Sequence, residues 1–554
     1  VRKGINRGLV PKIMNRKPEV FTGGRDTSKR IANRLGWVDV VSLMKRRVAG
    51  IERVADGAFR AGLRHIVLMG MGGSSLCPEV FGKIFGRHPA VRSFQVLDST
   101  DPATVRAVRR KIDLKKTLFI VASKSGTTVE TRSHEAYFFN ELRNAGVRVP
   151  GRRFVAITDA GSDLERLARR QKYRRTFVNP SDIGGRYSAL SYFGLVPAYF
   201  VGVDLRRLLD EAAETERLLR DRDDESNPAL LLGALMAACA GAGLNKMTLL
   251  ASRRTAPLVP WLEQLVAEST GKKKTGIVPV EAEPVGKAGH YGADRFFVFL
   301  RMTGEKQEPH GRLMKRLIQQ RAPVVELVVG DRYDVGSHFL LWEAAVAAAG
   351  SLMGINPFDE PNVTESKENT NAILADYTAG GAFPLMEKVA RRAGLSSAAA
   401  RGGRQHGRLD RAEAARSLKR FLAGLRPPQY LAVLCYFKSD RRTKEALAEL
   451  RRKVCDRTGA AVVRGYGPRY LHSIGQLYKG GPSNGRFIIF VRDRYDHLEI
   501  PGRPFDFGRL IAAQAVGDAR ALSRRRLPVL VMTVGPDPAA GLRTFARAAG
   551  RALQ

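Results

Sequence analysis

Cysteine is scarce. Cys77, Cys239, Cys435 and Cys455 are the only four in 554 residues, and with no C-x-x-C pair among them the sequence offers neither a disulfide framework nor a zinc site. A reducing, cytoplasmic setting is expected. Long apolar runs are missing too: the most apolar stretch, Ala229 to Leu244, has 16 residues rich in Ala and Gly, which suits a buried helix better than a membrane span. Val1 to Lys17 alternates basic and apolar positions without a continuous hydrophobic segment, so no secretory signal is expected. Acidic residues are few, 54 Asp and Glu against 93 Lys and Arg, for a net charge of +39.

What remains has the balance of a folding core. Hydrophobic residues make up 44% and charged residues 27%, values of ordinary globular protein rather than disorder. The length accommodates three or four domains at roughly 150 residues each. The basic residues are spread along the chain, and the densest runs, Lys272 to Lys274 and Arg524 to Arg526, hold only three in a row. Such a field attracts any anion, from a sugar phosphate to RNA. No zinc finger, RRM signature or basic heptad segment is present. Neither a specific nucleic-acid partner nor a membrane is therefore expected, and the surplus reads as a solvated basic surface that no motif accounts for.

Short apolar runs recur between helical patterns at His65 to Gly70, Phe94 to Asp98, Leu118 to Ser123 and Phe154 to Asp159. Their spacing of roughly 25 to 35 residues leaves room for one helix per crossover, and their unbroken apolar character marks strands buried on both faces of a parallel sheet. A second set follows at Met247 to Ala251, Phe296 to Leu300 and Val324 to Val329. A third runs through Tyr430 to Phe437, Ala460 to Arg464, Phe487 to Phe490 and Leu527 to Val531. An α/β fold with three layers is predicted. Leu395 to Arg408, LSSAAARGGRQHGR, offers little to a core and reads as a linker.

Two loops carry the chemistry of an anion site. G70-M-G-G-S-S-L76 follows a strand and opens a helix, so Gly73 and Ser74 lie where exposed amides and the helix dipole hold an anion. Its spacing is not that of a dinucleotide loop. S123-K-S-G-T-T128 also follows a strand, and Ser123, Ser125, Thr127 and Thr128, with Lys124 between them, supply more hydroxyls than a helix cap uses. Glu130 and His134 stand in the first turns of the helix that follows. A phosphate is the expected occupant.

These loops, with I183-G-G-R-Y-S-A-L, E268-S-T-G-K272 and I355-N-P-F-D-E-P-N-V-T-E-S-K367, resemble the phosphoglucose isomerase family over residues 70 to 367. N33-R-L-G-W37, S366-K-E-N-T and Y470-L-H-S-I-G-Q-L-Y-K-G-G-P482 look more closely like the isomerase half of bifunctional transaldolase/glucose-6-phosphate isomerases. No separate transaldolase barrel is expected. The resemblance implies two sugar-isomerase (SIS) type αβα domains. On that reading 1–50 is a helical extension, 51–244 the first domain, 245–394 the second, 395–408 the linker, and 409–554 an α/β region completing the second. It implies interconversion of glucose 6-phosphate and fructose 6-phosphate through a cis-enediol(ate), without metal or other cofactor, in a homodimer. Glu268 is the implied proton shuttle and Arg186 the cation facing the enediolate. Gln264 is expected to bind substrate, and Lys367 to act at the ring oxygen.

Helical geometry supports the placement of the glutamate. In a helix from Pro260 with Gly271 at its end, Trp261, Leu262, Leu265 and Val266 form the core face. At 100° per residue Glu268 lies about 20° and Gln264 about 60° from Trp261. Partial burial there raises a carboxylate's pKa, which suits a base that takes and returns a carbon-bound proton. Glu263 falls on the expected solvent side and receives no role.

The family's ring-opening histidine sits in a His-x-x-x-Gln-Leu segment between the glutamate and the lysine. His290, His310 and His338 occupy that interval, and none is followed by Gln-Leu. H472-S-I-G-Q-L477 fits instead, after Lys367, so a reordered second domain is expected to bring His472 to the site. Arg295 competes for the position in linear order, but a guanidinium cannot serve as a neutral base. Cys77 stands where the family commonly has Gly, and Tyr478 where the bifunctional relatives often carry His. Three other readings stay open here: a non-catalytic phosphosugar sensor, an RNA- or DNA-binding protein that uses the +39 charge, and an isomerase that also accepts mannose 6-phosphate.

Overall fold

The computed structural model describes residues 2, 8–21, 24–221, 225–305, 310–362, 364–378, 397–399 and 409–553. Three sheets organise them, and every strand pairing is parallel. The first contains β1 (His65–Gly70), β2 (Ser93–Leu97), β3 (Thr117–Ala122), β4 (Phe154–Asp159) and β5 (Arg175–Asn179), in the order β2-β1-β3-β4-β5. The second contains β6 (Lys246–Ala251), β7 (Val278–Glu281), β8 (Arg295–Met302) and β9 (Val324–Val329), in the order β7-β6-β8-β9. The third contains β10 (Ser397–Ala399), β11 (Tyr430–Tyr436), β12 (Ala461–Tyr466), β13 (Gly485–Val491) and β14 (Val529–Thr533), in the order β10-β14-β13-β11-β12.

All the expected strands form, each within a few residues of its predicted bounds. Of the segment read as a linker, residues 397–399 pair with β14, and the rest lies outside the described residues. The C-terminal strands close a sheet of their own, and β12 meets the second sheet at β7. There Arg464 Nε pairs with Glu281 Oε1 at 2.8 Å, and the buried Arg451 donates to the carbonyls of Glu281 and Ala282 at 2.7 and 2.8 Å.

Two cores share the first sheet. One face packs, with the N-terminal helices, against helix Val335–Leu352 and the second sheet. The other face packs against the third sheet and helix Phe507–Arg524. The apolar stretch after Asn227 is the buried helix Pro228–Gly241, capped by Asn227 Oδ1 on the amides of Ala229 and Leu230 at 3.1 Å. Among the described residues one helix, Val335–Leu352, is long and apolar enough to cross a membrane, and protein encloses it on nearly every face.

This topology places the site. β1 and β3 are neighbours in register from His65↔Thr117 to Gly70↔Ala122, so the two anion loops emerge side by side. The strand order reverses between them, where open α/β sheets form a crevice at the carboxyl ends of their strands.

Candidate active site

The loop after β1 turns at Gly72, whose φ is +56°, and helix Gly73–Phe85 begins at once. A Cβ on Gly73 would lie 1.9 Å from the Gly185 carbonyl oxygen, and one on Gly72 would lie 2.6 Å from that of His472. Only glycine lets three chain segments meet this closely.

In the loop after β3, Ser123 Oγ and Thr128 Oγ1 share a hydrogen bond of 3.1 Å, and Ser125 Oγ and Thr127 Oγ1 one of 2.8 Å. Thr128 precedes helix Val129–Asn144 without capping it. The hydroxyls are thus organised within the loop rather than spent on the helix end. Lys124 is drawn aside: its ammonium pairs with Asp159 and donates to Ser181 O at 2.8 Å.

Arg186 sits in the short turn Gly185–Tyr187 and is buried. Its Nε donates to Ser269 Oγ at 2.8 Å, Nη1 to Glu360 Oε2 at 3.1 Å, and Nη2 to the carbonyls of Pro357 and Asp359 at 2.6 and 3.1 Å. Glu268 Oε2 lies 3.7 Å from Nη1. Burial opposes the guanidinium charge, but Glu268 and Glu360 outweigh it, so Arg186 holds its proton more firmly than usual.

Glu268 lies near the end of helix Val259–Thr270, where Trp261, Leu262, Leu265 and Val266 are buried as the helical spacing predicts. Burial raises its carboxyl above the ordinary value and Glu360 adds to the rise, while Arg186, the Gln264 hydrogen bond and Lys272 oppose it. Gln264 Nε2 donates to Glu268 Oε2 at 3.1 Å and to His472 O at 2.9 Å. Gln264 Oε1 is buried without a protein partner, which leaves an acceptor for a substrate hydroxyl.

The expectation for Glu263 is overturned. It is buried, accepts a 3.2 Å hydrogen bond from Ser473 Oγ, and is held well above the usual carboxylate range by burial and by Glu281. The segment around His472 covers that face of the helix, which no helical wheel of residues 260–270 can reveal.

His472 closes the short helix Arg469–His472. Its Nε2 lies 3.0 Å from Glu130 Oε1, the same oxygen that accepts from Gln514 Nε2 at 2.8 Å. Gln514 Oε1 in turn accepts from Thr100 Oγ1 at 2.7 Å. A carboxylate beside Nε2 favours a proton on that nitrogen, which leaves Nδ1 as the ring's other site for proton exchange. The competing residues stand elsewhere. Arg295 is buried against Glu283 at 2.5 Å, His290 pairs with Asp456 at 2.8 Å, and His338 Nε2 meets Val328 O at 3.3 Å. His310 begins helix His310–Gln319 away from the cavity.

One cavity of about 630 Å³ is lined by Gly73, Ser74, Ser123, Lys124, Ser125, Thr127, Thr128, Arg186, Gln264, Glu268 and His472 together. Lys367 lies on helix Thr364–Thr378, one turn before Thr370 and Asn371, which line the same cavity; its side chain lies outside the described residues. Sequence reasoning gave no role to Glu130, Glu360, Lys479 or Gln514, which also line it. Lys479, paired with Asp518 at 2.6 Å, had a signal in its place seven residues after His472. Gln514 had none.

The phosphoglucose isomerase family profile matches residues 32–299. A protein named "Probable glucose-6-phosphate isomerase" from Methanococcus maripaludis is 26% identical over 420 residues, covering 67% of this chain and 91% of that protein. The glucose-6-phosphate isomerase of Citrifermentans bemidjiense is 30% identical over 347 residues, and the match spans 56% of this chain and 65% of that protein. Among solved structures, a hypothetical protein from Thermus thermophilus aligns with a TM-score of 0.59 at 25% identity, over 68% of this chain and 97% of that one. A glucose-6-phosphate isomerase from Chlamydia trachomatis shares the fold, with a TM-score of 0.52 at 23% identity over 69% and 80%.

Proposed function

We propose that this chain, a relative of the phosphoglucose isomerases over residues 32–299, interconverts glucose 6-phosphate and fructose 6-phosphate. The observation that carries the reading is that Glu268 and the Ser/Thr loop face one cavity of about 630 Å³, with room for a hexose between an anion cradle and a base. The hydroxyls of Ser123, Ser125, Thr127 and Thr128, with the amides at Gly73 and Ser74, hold the phosphate. His472, oriented by Glu130, moves a proton through Nδ1 as the ring opens, and Lys367 assists at the ring oxygen as the family resemblance implies. Glu268 then takes the C2 proton and returns it to C1. The negative charge that develops on the enediolate is met by Arg186, which five protein contacts hold in place before reaction.

The likeness to the isomerase half of bifunctional transaldolases rests on the segments around Trp37, Lys367 and His472. We place the chain in a reducing compartment, which suits four free buried cysteines, and as a homodimer, which light scattering tests. The decisive experiment is a coupled assay of fructose 6-phosphate turnover with Glu268→Gln. An isomerase loses roughly 10²- to 10⁴-fold in rate while still binding sugar phosphate. A folded wild-type protein that binds but never turns over is instead a phosphosugar sensor.

A further inference from the structure

The cavity occupies the carboxyl ends of the first sheet, and roughly 20 Å of strand separates it from the opposite edge. Five connections arrive at that edge: 60–64 (RAGLR), 86–92 (GRHPAVR), 111–116 (KIDLKK), 145–153 (AGVRVPGRR) and 171–175 (QKYRR). They hold thirteen Lys and Arg against one acid, Asp113. Among the described residues the only ion pair these thirteen make is Lys116 with Asp113, at 3.8 Å.

Main-chain bonds set the basic residues side by side. Arg92 N donates to Arg64 O at 2.7 Å, Arg64 N to Lys116 O at 2.8 Å, and Arg174 N to Phe154 O at 2.9 Å. Arg174 Nε donates to Arg152 O at 3.0 Å. The order across this edge follows the strand order, so the ridge is four strand spacings wide, roughly 19 Å. Its charges repel one another: burial and the charges of Arg153 and Arg152 hold Arg174 below its ordinary pKa. Arg153 Nε is buried without a hydrogen-bond partner.

We propose that this edge of the first sheet is a docking surface for the phosphodiester backbone of nucleic acid, held without sequence preference. Laid along a duplex, its width takes in about five to six phosphates of one strand, at one per roughly 3.4 Å of helix axis. Nine of the thirteen residues are arginine, whose planar fork fits phosphate oxygens in pairs. The one Phe, Tyr or Trp in these connections, Tyr173, is buried, which leaves no ring on which a base stacks. A lipid surface fits less well, because Val149 is the only large apolar residue of these connections that stands exposed.

The test measures binding of a labelled 20-nucleotide RNA of mixed sequence by fluorescence anisotropy between 50 and 200 mM salt. It compares the full chain, the ridge variant R92Q/R148Q/R152Q/R175Q, and the control R452Q/R457Q/R503Q/R547Q, which removes the same charge from exposed positions elsewhere. The ridge variant should lose at least tenfold in affinity at 100 mM salt, and its slope of log K against log salt should fall by about 3. The control should lose less than threefold. Melting curves establish that each variant is folded, and K115Q/R148Q replaces the fourfold ridge variant if that one is not. Equal losses in ridge and control, or no wild-type binding at 50 mM salt, overturn the proposal. So does ridge-dependent binding to vesicles one-third phosphatidylserine with none to RNA.

Discussion

The side-chain amide of Gln264 and the main-chain carbonyl of His472 lie 2.9 Å apart and join segments separated by 208 residues. The same amide nitrogen reaches Glu268 at 3.1 Å. Glu268, the proposed proton shuttle, and the segment of His472, the proposed ring-opening group, therefore share one orienting amide. Gln264→Ala should lower kcat for fructose 6-phosphate about tenfold by loosening Glu268, and raise KM through the lost Oε1 acceptor. A change in KM alone would leave Gln264 as a binding group only.

The pH dependence follows from the charges around Glu268. Its carboxyl must be ionised to act as a base, and burial raises its pKa with help from Glu360. The acidic limb of kcat/KM should therefore lie above the ordinary carboxylate value of 4.5. Glu360→Gln removes the like charge and frees Arg186 to act more fully on Glu268. Both effects lower the pKa, so the limb should move to lower pH. A shift upward would show that Glu360 acts on the rate by another route.

Arg469 joins the turn that carries His472 to the first sheet. Its Nη1 meets Asp98 at 2.9 Å and its Nη2 pairs with Glu79. Burial opposes the Glu79 charge, yet Arg469 and Lys83 hold its pKa down to about 2. A carboxylate depressed in the folded state adds stability above its unfolded pKa near 4.5, and that stability is lost as pH falls toward 2. Arg469→Ala should destabilise by about 2 kcal/mol, because it leaves two carboxylates facing each other, and should flatten this part of the pH dependence in thermal melts. Arg469→Lys should recover part of the loss.

Arg186→Lys should reduce kcat/KM by at least 100-fold, because an ammonium cannot make the guanidinium's simultaneous contacts with Ser269, Glu360 and the Pro357 carbonyl. EDTA should leave wild-type turnover unchanged if the enediolate is met by this cation. Loss on chelation, restored by a divalent ion, would refute that assignment.

Much of the site could be read from the sequence because its groups sit in short, local patterns. The hydroxyls of residues 123–128 crowd one turn after a strand, and Glu268 falls on the edge of an apolar stripe. Other features depend on contacts across the chain. β5 carries no apolar run because Arg175 and Val178 are exposed at a sheet edge. β7 is equally illegible, with only four residues, one of them Pro279. The burial of Glu263 depends on Ser473, and Glu130 gains its meaning only from His472 and Gln514, hundreds of residues away. His472, legible through its Gln-Leu neighbours, lines the cavity with Glu268 although it lies about 200 residues further along the chain.

The contact between Gly73 and Gly185 works as a built-in gauge. Main chain abuts main chain there, with no space for even a methyl group, so the spacing between the loop after β1 and the turn that carries Arg186 is set by backbone. If the proposed assignments hold, a sugar phosphate one carbon shorter, tethered at the same end, should fail to bring its reacting carbons up to Glu268, which the ratio of kcat/KM for hexose and pentose phosphates measures. On the proposed reading, a pair of glycines thus helps to select by chain length.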